Sequence, residues 1–340
     1  MKDKDLEEIA WKIIEERNLN PHDTIFQFGF DDGQGSLKLM MSVKTSEIER
    51  EMDETKQKRS KYSDGVNAKD SKLSSVKKLM IIALVPNIQE SYVNVKHILE
   101  KVDISAIQFA LSADIKMYLT LIGKQSAGCT CNCPFCEGQS PWSEGCWLLT
   151  VGRLKQLHNS FVAEGSDVRQ AKLHGNVVHQ PLVSGDDDEK ILNMLAPPEN
   201  HLLTGMVGKV VLEMEKAGWS TQKQGELWVR EFLRRENCSK ASYHGTNSFE
   251  GNQARSLLRK ADILERDILA EGFDVAVKCL PFVETLKKFN GVVSACFGQE
   301  LDPTYEEKIT QFSQLYRSLG CTVPPKVHIV EVHVVQFLKM

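Results

Sequence analysis

The chain lacks any apolar run of the roughly 18 residues that a membrane-spanning helix needs, so no membrane partner is expected. Its opening, MKDKDLEEIAWKIIEERN, is charged and helical in pattern, which is not how a secretory signal reads; an intracellular, soluble protein is expected. An excess of positive charge is also missing. The net charge is −4, so composition gives no support for wholesale nucleic-acid binding, and a DNA-handling protein of this charge would need local basic patches. One such patch, KQKRSK at 56–61, sits among polar residues and reads as a solvated loop. There is no internal repeat. The nine cysteines are odd in number and tightly clustered, which argues against a secreted disulfide framework and for a reducing compartment, where thiolates can hold metal. What remains is a chain of 340 residues with ordinary hydrophobic and charged content, long enough for a sizeable core and two subdomains.

Periodicity organises that length. Residues 5–17 place Leu6, Ile9, Ile13 and Ile14 on one helical face, an N-terminal helix within 1–20. TIFQFGF alternates, with Phe26, Phe28 and Phe30 on one side of a strand that ends in the turn DDGQG, and SLKLMMSV reads as the returning strand. Residues 45–77 are polar and charge-rich, an expected loop insertion. LMIIALV (79–85) is a continuous apolar run fit for a buried strand, 91–102 is helical, and SAIQFALSAD (105–114) is a further strand ending on an acid. Hairpin-linked strands followed by a helical crossover give a mixed sheet over 21–125. From about 150 helices dominate, at 152–163, 200–217, 221–236, 250–270, 274–289 and 303–319, so 126–340 reads as a large, mostly α-helical insertion. The fold class expected is α/β (α+β).

Acids end the first and last of these strands: Asp31 or Asp32, and Asp114. Carboxylates at neighbouring strand ends can converge on hard divalent cations, and two such cations serve phosphodiester chemistry. The strand order and acid positions fit a ribonuclease H-like core. Asp is also common at strand ends and in glycine turns for purely local reasons.

CTCNCPFCEG holds Cys129, Cys131, Cys133 and Cys136. Cys133-Pro-Phe-Cys136 is a CxxC, a spacing from which two thiolates reach one tetrahedral Zn²⁺. Near the other end, KVHIVEVH holds His328 and His333. They do not share a row of an α-helix, and the segment also reads as an alternating strand. Together the four residues would complete a closed, structural Cys2His2 site across a loop of roughly 200 residues, pinning the helical insertion to the core. Cys129 and Cys131 compete as ligands. A thioredoxin-like redox pair at Cys133 and Cys136 would need a helix to follow.

In sequence order, the Asp–Gly turn, ADIKM, the CxxC, PPENHLLTGMVGKV, YHGTNSFEGNQARSLLRK and KVHIVEVH resemble the catalytic core of Transib-type transposases and of the large subunit of the V(D)J recombinase, over roughly residues 24–338. The resemblance implies DNA cleavage and strand transfer at transposon ends, in the nucleus, by acids on a ribonuclease H-like fold with two Mg²⁺ or Mn²⁺ ions. It implies catalytic roles for Asp31 or Asp32 and for Asp114, a place near the active site for His201, and a structural Zn²⁺ on Cys133, Cys136, His328 and His333. DNA is the implied partner and a homodimer the candidate assembly. Arg255, Arg259 and Lys260 are candidates for phosphate contacts, against the plainer reading of a solvated helix face.

The resemblance also implies a glutamate, the third acid, beyond the histidine pair, and a separate DNA-end-binding domain before the core. Seven residues follow His333. The expectation is a transposase- or recombinase-like core that is incomplete or inactive as an enzyme, with Glu250 a poorly placed substitute. The alternative is a non-catalytic, zinc-stabilised DNA- or protein-binding protein.

Overall fold

Phe26, Phe28 and Phe30 alternate along the first strand and are all buried, as the period-two pattern requires. In the computed structural model the described residues are 6–16, 20, 22, 24–33, 36–45, 80–102, 109–125, 128–139, 142, 147–243, 246–298 and 300–340. The polar stretch expected at 45–77, with KQKRSK inside it, lies outside them apart from residue 45.

β1 (Thr24–Gly33) pairs antiparallel with β2 (Ser36–Thr45), and the register sets Phe26, Phe28 and Phe30 opposite Val43, Met41 and Leu39. β2 continues antiparallel to β3 (Met80–Pro86), with a register shift between Leu39 and Met40. β4 (Phe109–Ser112) adds to the other side of β1 in parallel, so the four-stranded mixed sheet runs β3-β2-β1-β4. The strand expected to be buried at 79–85 is an edge strand. Ile81 and Leu84 are more than half exposed, because β2 covers one side of β3 and no described strand covers the other. A short apolar run does not by itself distinguish a central strand from an edge.

α1 (Leu6–Glu16) buries Leu6, Ala10, Ile13 and Ile14, and α2 (Tyr92–Lys101) supplies the crossover between β3 and β4. Ser91 caps α2 by accepting from the Asn94 N–H. Directly after β4, Asp114 caps α3 (Ile115–Leu121). Tyr118 of α3 is fully buried, and its hydroxyl donates to the Ala196 carbonyl at 2.8 Å and lies 3.3 Å from that of Leu111. This hydroxyl ties down the point where Leu195 makes a parallel bridge to Leu111, on the side of β4 away from β1.

The chain divides into two compact units, Met1–Glu137 with Trp147–Ala196, and Gly138–Cys146 with Pro197–Met340. The first contains the sheet, α4 (Val151–Ala163), a 3-10 turn (Val168–His174) and α5 (Ile191–Met194). The second is helical apart from a small hairpin, β5 (Ala241–Tyr243) and β6 (Thr246–Ser248). Its helices include α6 (Glu199–Ala217), α7 (Gln222–Arg235), α8 (Gly251–Arg259), α9 (Ala261–Ala270), α10 (Phe273–Cys296) and α11 (Tyr305–Ser318). Phe289 of α10, with Phe312 and Tyr316 of α11, forms a buried aromatic run at its centre. The single helix expected at 250–270 breaks at Lys260, and the one expected at 274–289 continues through Pro281 to Cys296. No helix of the described residues is long and apolar enough to cross a membrane.

Candidate metal centre

α3 stops at Gly123, which takes a left-handed φ of +76°. A side chain there would run into the backbone carbonyl of His179 as well as strain the backbone. The N–H of Lys124 returns to the Leu119 carbonyl, and the chain then pairs across to Val177 and Asn176. This stop delivers CTCNCPFC as a tight loop beside the end of α3. Asn176 fixes its entrance by accepting from the Cys131 N–H at 2.9 Å. The exit is fixed by a bridge between Cys136 and Leu148 and by Leu149 N–H donating to the Phe135 carbonyl. Arg153 holds Glu137, the next residue, with two hydrogen bonds of 2.7 and 2.9 Å.

Inside the loop Cys133 and Cys136 are fully buried. Burial pushes the Cys133 thiol up. A hydrogen bond with Cys136, the nearby Lys124 ammonium and the backbone N–H groups of Phe135 and Cys136 outweigh it, so the thiol ends below its ordinary value. The Phe135 N–H points at the Cys133 sulfur from 3.4 Å. Lys124 donates to the carbonyls of Cys131, Cys133 and Cys136 at 3.0, 2.8 and 3.2 Å. Burial pushes the Lys124 ammonium down, opposed by the sulfurs of the cysteine loop.

The histidines come from the C-terminal segment. Pro325 opens a helix at a position where its missing N–H costs nothing. The segment is helical over Pro325–His328, a π-helical turn over Ile329–Val334, and helical again over Val335–Leu338. HIVEVH is therefore no strand, and the π turn explains its spacing. In an α-helix residues five apart point about 140° away from each other, whereas a π turn closes between i and i+5. His328 and His333 meet as a result, with their Nε2 atoms 3.1 Å apart. Both are buried. His333 Nδ1 lies 2.8 Å from the Gln336 side-chain oxygen; an Nδ1–H donated there leaves Nε2 as the ligand nitrogen. His328 stacks on Trp142, ring centres 4.3 Å apart, while the Trp142 indole N–H donates to the Val323 carbonyl.

The ligand atoms of Cys133, Cys136, His328 and His333 all lie within 4.8 Å of one another, and all four residues are buried. Two imidazole nitrogens aimed at each other repel unless a proton or a cation lies between them. Two nitrogens on one tetrahedral Zn²⁺ stand roughly 3.3 Å apart, given Zn–N bonds of about 2.0–2.1 Å. The donor set and its geometry fit zinc, and the group could hold such a metal. Cys129 and Cys131 do not belong to it. Cys129 is half-buried with its sulfur near the Gln125 carbonyl, and burial pushes its thiol up. No helix follows Cys136, so the setting of a thioredoxin-like pair is absent among the described residues.

The acids divide differently. β1 and β4 are parallel neighbours, and the last register pair, Gly29 with Ser112, places Asp31, Asp32 and Asp114 just beyond it at the same end of both strands. Asp114 Oδ1 accepts from the Met117 N–H at 2.8 Å, so this carboxylate also serves as a helix cap. Asp31 pairs with Lys38 and Asp32 with Leu37 in the hairpin register. His201 lies in the first turn of α6, in the second unit. Glu250 is the N-cap residue of α8 and is exposed. Arg255 of that helix pairs with Glu199, and Lys260, its C-cap residue, pairs with Glu236. Sequence reasoning missed Lys124, Trp142 and Gln336. Only the three-residue step from His333 to Gln336 was legible, as one helical turn.

Comparison of the sequence with protein-family models and with curated proteins finds no match.

Proposed function

We propose that Cys133, Cys136, His328 and His333 hold one structural Zn²⁺, and that the chain is the core of a DNA-handling protein of the Transib transposase and V(D)J recombinase type. The observation that carries the zinc reading is the convergence of four buried ligand atoms within 4.8 Å, two of them brought together by a π-helical turn. Four protein ligands leave no open position, so the ion is structural rather than catalytic. It ties together two stretches of chain roughly 200 residues apart, and its binding free energy becomes folding free energy.

The ribonuclease H-like reading is supported by the sheet order β3-β2-β1-β4, by the parallel pairing of β1 with β4, and by the parallel bridge of Leu195 to Leu111 at the position of a fifth strand. Acids at one end of two neighbouring strands supply the oxygen ligands that Mg²⁺ or Mn²⁺ takes. When bound, such ions activate an attacking oxygen and stabilise a leaving one. On this reading Asp114 and one of Asp31 and Asp32 hold that charge in place, the partner is DNA and the compartment is the nucleus. The test is a nicking assay on DNA with Mg²⁺ or Mn²⁺, comparing wild type with Asp114→Asn. Metal-dependent cleavage lost in the variant supports catalysis by these acids, and cleavage equal in both contradicts it; absent cleavage is the result expected of a core that is incomplete or inactive as an enzyme.

A specific observation favours a second reading, a zinc-stabilised binding protein without catalysis. Asp114 is already engaged as a helix cap, and Arg255 and Lys260 are engaged by acids rather than presented to phosphates. One bound zinc with no nuclease activity is the result this reading expects.

A further inference from the structure

A lysine whose relative exposure is 5% is the least expected member of the cysteine loop. Lys124 lies inside it, and no ion pair to a carboxylate is formed by it among the described residues. An ammonium has three donors and no acceptor, and here three backbone carbonyls converge on it, those of Cys131, Cys133 and Cys136. Each of the three donors therefore has one acceptor, and two of the acceptors belong to residues whose side chains are in the metal group. A buried cation is tolerable only where opposite charge faces it. Neutral thiols supply none, whereas two metal-bound thiolates do.

We propose that Lys124 is the positioning residue of the cysteine half of the metal centre: its ammonium gathers the carbonyls of Cys131, Cys133 and Cys136 so that both sulfurs face one point, and it stands as the fixed positive neighbour of the two thiolates. Outer partners of this kind orient metal ligands and tune their donor strength. Gly123 is part of the same device, because its left-handed conformation turns Lys124 inward at the end of α3. The inference rests on the zinc reading above and adds a residue that does not touch the metal.

The experiment uses the full zinc-loaded chain as wild type, Lys124→Met, Lys124→Arg and, as a surface control, Lys172→Met. Zinc affinity is measured by competition with a colorimetric chelator, and the thiolate-to-metal absorption of the Co²⁺-substituted proteins is recorded. Lys124→Met is expected to weaken zinc binding by roughly 10–100-fold and to shift the Co²⁺ absorption. Lys124→Arg is expected to rescue it only in part, since a planar fork does not match three converging carbonyls. Lys172→Met is expected to behave as wild type. A Lys124→Met protein that is less heat-stable but has unchanged zinc affinity and an unchanged Co²⁺ spectrum overturns the proposal. Should Lys124→Met fail to fold, amine acylation of the wild type decides: Lys124 is protected in the zinc-loaded chain and labelled after chelation, and equal labelling in both states overturns the proposal. A wild type that binds no zinc removes the metal reading and this one together. A wild type that binds zinc no more tightly than Lys124→Met removes this one alone.

Discussion

His333 shows how one residue serves two partners. Its Nδ1 is engaged by Gln336, its Nε2 faces that of His328, and it is fully buried. On the zinc reading, removing the imidazole takes away one of four ligands and leaves the other three residues an incomplete site. His333→Ala is expected to lose stoichiometric zinc and to melt at lower temperature. With zinc at about 100 times its dissociation constant the wild type gains about 2.7 kcal/mol. For a unit of this size that corresponds to a shift of roughly 5–11 °C, read by calorimetry. Gln336→Ala keeps all four ligands but frees the ring, and is expected to weaken zinc affinity by roughly tenfold with little change in stoichiometry. A zinc affinity equal to wild type would show that Gln336 does not orient the histidine.

At the scale of elements, the Tyr118 hydroxyl joins α3 to the edge of β4 where Leu195 docks. Burial holds its phenol up at about 12, against an ordinary value of 10.0. The neutral form is thus favoured in the folded chain. The stability this represents is intact below pH 10, falls as pH rises from 10 toward 12, and amounts to about 3 kcal/mol in full. Tyr118→Phe is expected to remove that alkaline step from a pH series of chemical melts, and at neutral pH to cost roughly 1–3 kcal/mol, because the Ala196 carbonyl loses its donor. An alkaline step of the same size in the variant would assign it to another group.

Most of these elements were legible in the sequence because their periods are strong. Phe26, Phe28 and Phe30 announced a half-buried strand, and Leu6, Ile9, Ile13 and Ile14 a helix face, on which Ile9 is only half-buried. HIVEVH was less legible for a physical reason. Its β-branched residues suit a strand as well as a helix, and five-residue spacing satisfies no α-helical row, so the π turn that joins the histidines is not written in the pattern. β3 misled because burial on both faces is a property of neighbours, which LMIIALV does not encode. Lys124 was not legible at all. Nothing in IGKQSAG distinguishes a buried ammonium from a surface one until Gly123 is seen to turn it inward.

At the scale of the whole molecule, two readings of function make opposite predictions from the same fold. Parallel β1 and β4 bring acids to a common end, as metal-dependent phosphodiester chemistry requires, while the capping role of Asp114 and the ion pairs of Arg255 and Lys260 fit a protein that binds without cleaving. Asp114→Asn is expected to abolish any Mg²⁺- or Mn²⁺-dependent nicking while retaining much of the cap, since its side-chain oxygen still accepts from Met117. A melting temperature close to wild type would separate loss of chemistry from loss of fold.

Both readings include the same proposed zinc group. Its most direct test is metal content by elemental mass spectrometry on the purified chain, alongside Cys133→Ser, His333→Ala and Cys129→Ser. One zinc per chain is expected in the wild type and in Cys129→Ser, and less than stoichiometric zinc in the other two. A wild type without zinc, or stoichiometric zinc retained by both Cys133→Ser and His333→Ala, would contradict the account.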